Sequence, residues 1–359
     1  MVISRSRYAL SVAGCLILSY PLYVGAKYPK YMGKETGPDR TVIVTGATGT
    51  MGSTLTLALA RRQCRVIMAC RNLDKCKEIR REIVLVTKNK SIACRHLDLE
   101  SIDSINKFVD DICKNEPHID ILVNNAAVRN IKKKELTQYG FERHLFVNFL
   151  APYLLTMRLM PKLEESSKIT HDSRVINVIG APKKYWKVDL TDINFDRRKY
   201  NHKQAYWQSK MALAYFTILL EKFNREKGNK VYVFGTSPNE KRIAPSFFHE
   251  TGIIQELVFN LGHYFSVSAR LLSEVPLRCA LDKSLANEAG SGRLYNFFLR
   301  SWGRNKGWGP AIDEVKAKFV WNHAADLLVN IPVKPNDNRD GNQEKLQANN
   351  KASGVEESA

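Results

Sequence analysis

No two of the seven cysteines form a Cys-x-x-Cys pair, and no zinc-finger spacing, internal repeat or low-complexity core is present. The spacing of Cys15, Cys64, Cys70, Cys76, Cys94, Cys113 and Cys279 therefore offers neither a metal finger nor a disulfide framework. Most of these cysteines sit in apolar contexts, where an unpaired thiol acts as a small hydrophobe. A reducing compartment is the simpler expectation, and no metal site is expected. Acidic residues are in deficit, 36 against 55 Lys and Arg, which leaves a net charge of +19. The basic residues form small knots at Lys132-Lys133-Lys134, Lys183-Lys184 and Arg197-Arg198-Lys199. No single basic helix and no aromatic RNA-binding signature accompanies them, which argues against a nucleic-acid partner. An anionic membrane surface fits the charge better.

What is present is apolar enough for a large core, at 44% hydrophobic and 25% charged over 359 residues. One apolar segment, Tyr8 to Ala26, is flanked by Arg5 and Arg7 before and by Lys27 and Lys30 after. Its length only just spans a bilayer. A retained N-terminal membrane anchor within residues 1–30 is the favoured reading. A cleavable signal peptide ending near Val24-Gly25-Ala26 is its rival, and a shallow hairpin bent at Pro21 is the third. Positive charge on both sides leaves the orientation open. The sequon Asn89-Lys90-Ser91 matters only for a luminal domain.

From Arg40 onward, strand and helix patterns alternate. Strands are predicted at Thr41–Thr45, Arg65–Cys70, Ile92–Leu97, Ile119–Val123, Arg174–Val178 and Lys230–Phe234. Helices are predicted at Ser53–Arg62, Asp74–Val86, Ile102–Lys114, Gly140–Lys162 and from Tyr206 to Arg225. Such alternation predicts an α/β fold, a doubly wound parallel sheet of Rossmann type forming one domain over residues 40–331. Ile253 to Leu272 reads as a membrane-surface or substrate-side helix. Residues 332–359 read as a disordered polar tail.

The first strand runs into Thr45-Gly46-Ala-Thr48-Gly49-Thr-Met51-Gly52 and then a helix. Glycines let the backbone turn tightly and approach a pyrophosphate, whose charge is favoured at a helix N-terminus. Gly46, Thr48, Gly49, Met51 and Gly52 are thus candidate cofactor contacts. Strand two ends at Arg71, where NAD-binding folds commonly carry an acidic residue for the ribose 2′-hydroxyl. An arginine there favours a 2′-phosphate, hence NADP(H). Further on, Tyr206 and Lys210 are four residues apart, on one face of a helix. An ammonium beside a phenol favours the phenolate and draws its proton into play at a carbonyl or alcohol oxygen.

These motifs resemble the short-chain dehydrogenase/reductase family, nearest its retinol dehydrogenase-like branch. The resemblance runs from about Arg40 to Ile331 and extends through Ala69-Cys70-Arg71-Asn72, Leu97-Asp98-Leu99 and Asn124-Asn125-Ala126. Val147-Asn148-Phe-Leu-Ala-Pro-Tyr-Leu-Leu-Thr156, Ala205-Tyr206-Trp-Gln-Ser-Lys210 and Ser291-Gly-Arg-Leu-Tyr295 complete it. It implies that Tyr206 is the proton donor and acceptor and that Lys210 lowers its pKa and binds the nicotinamide ribose. It also implies that Asn148 positions a water linking Lys210 to solvent. Asp98 would contact adenine, and Asn124 and Ala126 would line the nucleotide.

Three departures qualify it. The family's catalytic serine follows strand five, and Gly180 occupies its place with Ile179 beside it. Losing a comparable donor costs about 2.7–4 kcal/mol. The glycine turn carries Thr50 where a middle glycine is usual, a Gly-x-x-Gly-x-x-Gly spacing closer to the extended branch. Pro238-Asn239 replaces a Pro-Gly, and Ile243 stands where a threonine holds the nicotinamide amide. The leading expectation is a membrane-associated NADP(H)-dependent oxidoreductase interconverting a lipophilic alcohol and its aldehyde or ketone, retinoid-like or lipid carbonyl. It would sit at the endoplasmic reticulum or another intracellular membrane, and a homo-oligomer is compatible with it. The alternative is a catalytically degenerate relative that binds nucleotide or a partner protein. An extended-branch epimerase or reductase is a third reading, which the later motifs oppose.

Overall fold

The computed structural model describes residues 31, 33, 35–170, 172–180, 189, 192–237, 269–287, 290–296, 301–302 and 314–329. Residues 1–30, 253–268 and 332–359, which carry the expected anchor, most of the second apolar segment and the polar tail, lie outside them. Among the described residues, no helix is long and apolar enough to cross a membrane.

Strands β1 (Thr41–Thr45), β2 (Arg65–Cys70) and β3 (Ile92–His96) alternate with helices α1 (Thr50–Arg61) and α2 (Leu73–Thr87). Then come α3 (Ile102–Asn115), β4 (Ile121–Asn124) and α4 (Ala151–Ile169), the last entered through a helical turn (Arg143–Leu145) and a π-helical turn (Phe146–Leu150). β5 (Ser173–Val178), α5 (His202–Glu226), β6 (Val231–Ser237), α6 (Ala269–Leu281), β7 (Arg293–Asn296), β8 (Ser301–Trp302) and α7 (Glu314–Val329) complete the order. The sheet runs β3-β2-β1-β4-β5-β6-β7-β8, with β1 to β7 all parallel and β8 antiparallel at the edge. The expected doubly wound sheet is therefore present, with a short antiparallel edge strand added.

All five residues of β1 and all six of β5 are buried, because helices cover both faces of a parallel sheet. On one face, Leu55, Leu59, Val275 and Leu277 from α1 and α6 pack on Val42, Val44 and Met68. On the other, Ile105, Phe108, Leu155, Leu159, Phe216 and Trp321 cover Ile43, Leu122 and Val175. Each such fully buried aliphatic or aromatic side chain contributes about 1.5–3 kcal/mol relative to exposure. Local signals start the helices. Asn72 caps α2 through the amide of Lys75, Ser101 caps α3 through Ser104, and Asn201 caps α5 through Lys203 and Gln204. Lys88, in a left-handed conformation at φ 59°, ends α2.

The strand N-termini are locked by charge. Arg40 pairs with Asp172, and Arg174, 1% exposed, donates to Asp172 at 2.6 Å and to the carbonyls of Cys279 and Asp282 at 2.9 Å. One expectation is corrected here. Cys76 on α2 and Cys94 on β3 form a disulfide with Cα atoms 6.1 Å apart. Their separation of 18 residues has no local signature, because only the β2–α2–β3 crossover lays the buried helix face on the strand. The inference of a reducing compartment, which rested on unpaired thiols, goes with it. Cys64, Cys70 and Cys279 are free and buried as expected.

Candidate active site

The sheet order reverses between β1 and β4, and a doubly wound sheet binds its ligand at the carboxyl ends of strands flanking such a point. A cleft of about 1100 Å³ opens there. Its walls include Gly46, Thr48, Gly49, Met51 and Gly52 from the β1 turn, Arg71 after β2, Asp98 after β3 and Ala126 after β4. Tyr206 and Lys210 line it as well. Residues spread over 165 positions of sequence thus face one cavity because every parallel strand delivers its C-terminus to the same edge.

The glycine turn is shaped by sterics. Gly46 adopts φ 63°, and a Cβ on it would sit 2.9 Å from the Cα of Ala126. A Cβ on Gly52 would lie 2.4 Å from the carbonyl oxygen of Gly46. Gly49 is the N-cap of α1 and no side chain caps that helix, so its positive dipole end faces the cleft uncovered by side-chain acceptors. Thr45 holds the turn against β4: its hydroxyl accepts from the amides of Asn125 and Ala126 at 3.0 and 3.1 Å. The Asn125 side chain donates to the Thr45 carbonyl at 2.8 Å.

At the outer end, Arg71 is exposed and donates to Glu100 at 3.1 Å. Arg143 grips the same Glu100 at 2.8 Å and Glu135 at 2.5 Å, and Lys75 lines the wall alongside. The Asp98 carboxylate accepts from the Glu100 amide at 3.0 Å, which fixes the turn after β3.

At the inner end, Tyr206 is 8% and Lys210 1% exposed. The Lys210 ammonium donates to the Val178 carbonyl at the tip of β5, 2.8 Å away. Tyr206 lies edge-on between the rings of Trp207 and His144, with centroids 4.7 and 6.1 Å away. The buried His144 and Glu142 cluster behind it with the half-buried Tyr200. Glu142 contacts the His144 ring nitrogen at 2.8 Å and accepts from the Tyr200 hydroxyl at 3.0 Å. Burial raises the Glu142 carboxyl, but the His144 hydrogen bond and charge outweigh it and hold the group below its usual range.

Asn148 sits in the π-helical turn and is fully buried. Its oxygen accepts from the Val128 amide at 2.8 Å, and its nitrogen donates to the Val128 carbonyl and the Ser209 hydroxyl, both at 3.0 Å. Ser209 in turn donates to the Tyr206 carbonyl at 2.7 Å. Both amide hydrogens of Asn148 are thus committed to joining the β4 loop to α5. Asn124 is likewise turned away from the cleft: it donates to Thr156 at 2.9 Å and Asn177 at 2.8 Å. Its neighbour Asn125 lines the cleft instead, because successive residues at a strand end point to opposite sides. Asn125, Thr45, Glu100 and Arg143 were not singled out from sequence. Only the pair Asn124-Asn125 carried a signal, and it did not say which member faces inward. Gly180 follows β5 at φ 92°, a conformation that disfavours a serine there.

Sheet, glycine turn and the Tyr206–Lys210 pair together define a dinucleotide-binding dehydrogenase fold. A family model described as short chain dehydrogenase matches residues 40–181. Human retinol dehydrogenase 13 (Homo sapiens) is 39% identical over 335 residues, covering 90% of this chain and 96% of that protein. Human polyprenol dehydrogenase is 34% identical over 194 residues, 54% of this chain and 58% of that one. The crystal structure of an uncharacterized protein from Mycobacterium Paratuberculosis superposes with a TM-score of 0.62 at 25% identity, covering 83% of this chain and 97% of that one. The chain belongs to the short-chain dehydrogenase family, in its retinol dehydrogenase-like branch. Members of this family use nicotinamide dinucleotides. The cleft suits such a group, since Gly46 and Gly52 leave a cradle that a Cβ would fill.

Proposed function

We propose that this chain is a membrane-associated, NADP(H)-dependent oxidoreductase that interconverts a lipophilic alcohol and its aldehyde or ketone. The observation that carries the reading is the convergence of Tyr206 and Lys210 on the same cleft as the glycine turn. Gly46, Thr48, Gly49, Met51, Gly52, Asp98 and Ala126 would hold the dinucleotide. Arg71 and Lys75 would receive a 2′-phosphate, two cations for a dianion. When bound, the nicotinamide supplies or accepts a hydride. The phenol of Tyr206 gives its proton to the carbonyl oxygen in reduction and recovers it from the hydroxyl in oxidation. Lys210, anchored on Val178, keeps a positive charge beside that phenol in a site shielded from water. Asn148 and Ser209 hold the α5 backbone at Tyr206 and so fix the phenol's position. A lipophilic substrate is supported by the names of the relatives, one a retinol and one a polyprenol dehydrogenase, and by the apolar segment Tyr8–Ala26. That segment would attach the chain to an intracellular membrane such as the endoplasmic reticulum.

Gly180 favours a second reading, a chain that binds nucleotide with little turnover, because the position offers no hydroxyl to polarise the substrate oxygen. Retinal and long-chain carbonyl reduction by wild type and Tyr206→Phe separates the two. The first reading expects turnover that drops about 10²–10⁴-fold in Tyr206→Phe. Background-level turnover in both proteins would leave only the second.

A further inference from the structure

The end of the cleft that a 2′-phosphate would enter also carries a carboxylate. Glu100, in the turn after β3, lines the wall there with Arg71 and Lys75. An acidic side chain at the adenosine ribose ordinarily serves a 2′-hydroxyl, and its charge opposes a 2′-phosphate. How Glu100 is neutralised therefore bears on which dinucleotide the cleft accepts.

Two arginines hold Glu100, and they hold it unequally. Arg71 gives one bond, from Nη1 to Oε1 at 3.1 Å, through a side chain that is 60% exposed. An exposed single contact of this kind is weak. Arg143 reaches both oxygens, from Nη2 to Oε1 at 2.8 Å and from Nε to Oε2 at 3.1 Å. Such a fork satisfies a carboxylate by itself.

Both sides of the fork are fixed in place. The Glu100 amide donates to the Asp98 carboxylate at 3.0 Å, and the Asp98 amide donates to the Ser104 hydroxyl at 2.9 Å. The Arg143 amide donates to the Glu135 carbonyl at 3.0 Å, and its Nη1 donates to the Glu135 carboxylate at 2.5 Å. Arg71 has no such second tie among the described residues. It can leave Glu100 while Arg143 stays, and the carboxylate keeps a partner on each oxygen.

We propose that Arg143 is a cofactor-specificity residue that acts through Glu100, holding that carboxylate neutralised so that Arg71 is free to turn to the 2′-phosphate of NADP(H). Arg143 works on Glu100 and not on the cofactor, which makes it a positioning residue. The proposal rests on the NADP(H) reading above and extends it to the helical turn that leads into α4.

The test is titration calorimetry of NADP(H) and NAD(H) with wild type, Arg143→Met, Glu100→Gln and the double variant, read as the ratio of the two affinities. Wild type is expected to favour NADP(H). Arg143→Met should cut that preference about tenfold or more, because Glu100 then keeps Arg71 and meets the phosphate as an unshielded like charge. NAD(H), which brings no phosphate to this position, should bind as before and so report an intact fold. Adding Glu100→Gln to Arg143→Met should return the preference to that of Glu100→Gln alone, since no carboxylate is left to shield. Arg143→Lys keeps the charge but not the fork and should lose part of the preference, and it stands in where Arg143→Met does not fold.

An unchanged preference in Arg143→Met, or in Arg143→Lys where only that variant folds, overturns the proposal. So does an equal loss from Arg143→Met with and without Glu100→Gln, which makes Arg143 a direct ligand of the phosphate. Weaker NAD(H) binding by Glu100→Gln with NADP(H) binding unchanged also overturns it, by assigning Glu100 to the ribose hydroxyl. A wild type that binds both dinucleotides equally ends the NADP(H) reading itself, whereas a wild-type preference that survives Arg143→Met ends this proposal alone.

Discussion

Lys210 is tied to Val178 by a 2.8 Å hydrogen bond from its ammonium to the strand carbonyl, so α5 and the tip of β5 are joined at the point where Tyr206 faces the cleft. The bond fixes a charge that would otherwise sit on a flexible four-carbon stem. Lys210→Met removes that charge and takes a buried donor from the Val178 carbonyl. A stability loss of about 1–3 kcal/mol is expected from the lost bond. Turnover should fall about 10²-fold or more, as for loss of a proton-transfer group. Thermal melting and steady-state kinetics on the same preparation measure the two effects separately.

Gly52 tests the cradle without touching any charged group. Its Cβ would meet backbone at 2.4 and 2.8 Å, neither of which can swing aside as a side-chain tip can. Gly52→Ala should abolish the thermal shift given by NADP(H), while Gly140→Ala, whose added carbon meets nothing within 4 Å but is strained by a φ of 80°, should lower the melting temperature and leave that shift intact. Equal shifts in both variants would place the dinucleotide elsewhere.

The Arg71 side chain is 60% exposed and among the described residues is held only by Glu100, so its loss should not unfold the chain. Arg71→Ala should weaken NADP(H) binding about 10–100-fold, the worth of a charge-assisted hydrogen bond, and leave NAD(H) little changed. Titration calorimetry with both cofactors reads the ratio. A wild-type protein that binds the two equally would defeat the assignment of Arg71 to the 2′-phosphate.

Asp172 sets an acid limit. Burial raises its carboxyl, but Arg174 and Arg40 outweigh burial and hold it below the ordinary carboxylate value. A depressed pKa contributes stability above the unfolded value of about 3.9, and that contribution is lost as pH falls through the folded one. The wild type should therefore lose stability below about pH 4. Asp172→Asn should flatten that limb and cost about 3–5 kcal/mol at neutral pH, since Arg174 stays buried without its carboxylate. Asp120 is shifted the other way, raised chiefly by burial, and cannot produce the same limb. Denaturant melts across pH read both curves.

Thiol labelling checks the corrected cysteine reading. Burial pushes Cys64 and Cys279 up to about 12 and Cys70 up to about 11, which leaves little thiolate at neutral pH. Of the described cysteines Cys113 should alkylate first in the native protein, being exposed. Cys76 and Cys94 should label only after reduction.

The periodicity of the chain carried most of the fold, because each β-strand is a short apolar run bounded by a turn signal and each crossover helix is amphipathic. Differences fall at ends. The fourth strand begins at Ile121 where Ile119 was expected, and the helix expected at Gly140–Lys162 instead starts at Arg143 and runs to Ile169 through a π turn. That turn has no sequence code of its own. It centres on Asn148, whose side chain bonds across to Val128 and Ser209, contacts a linear reading cannot see.

Sequence by itself determined the parallel sheet, the glycine turn and the Tyr206–Lys210 face, since all three are local patterns of period, sterics or helical spacing. Tertiary structure alone decided which of Asn124 and Asn125 faces the cleft, that Cys76 meets Cys94, and that Gly180 stands in a left-handed turn. The physical reason is the same in each case. A side chain's partner across the sheet is set by how strands register and helices cross, and those contacts join residues 18 to 80 positions apart that carry no shared local mark.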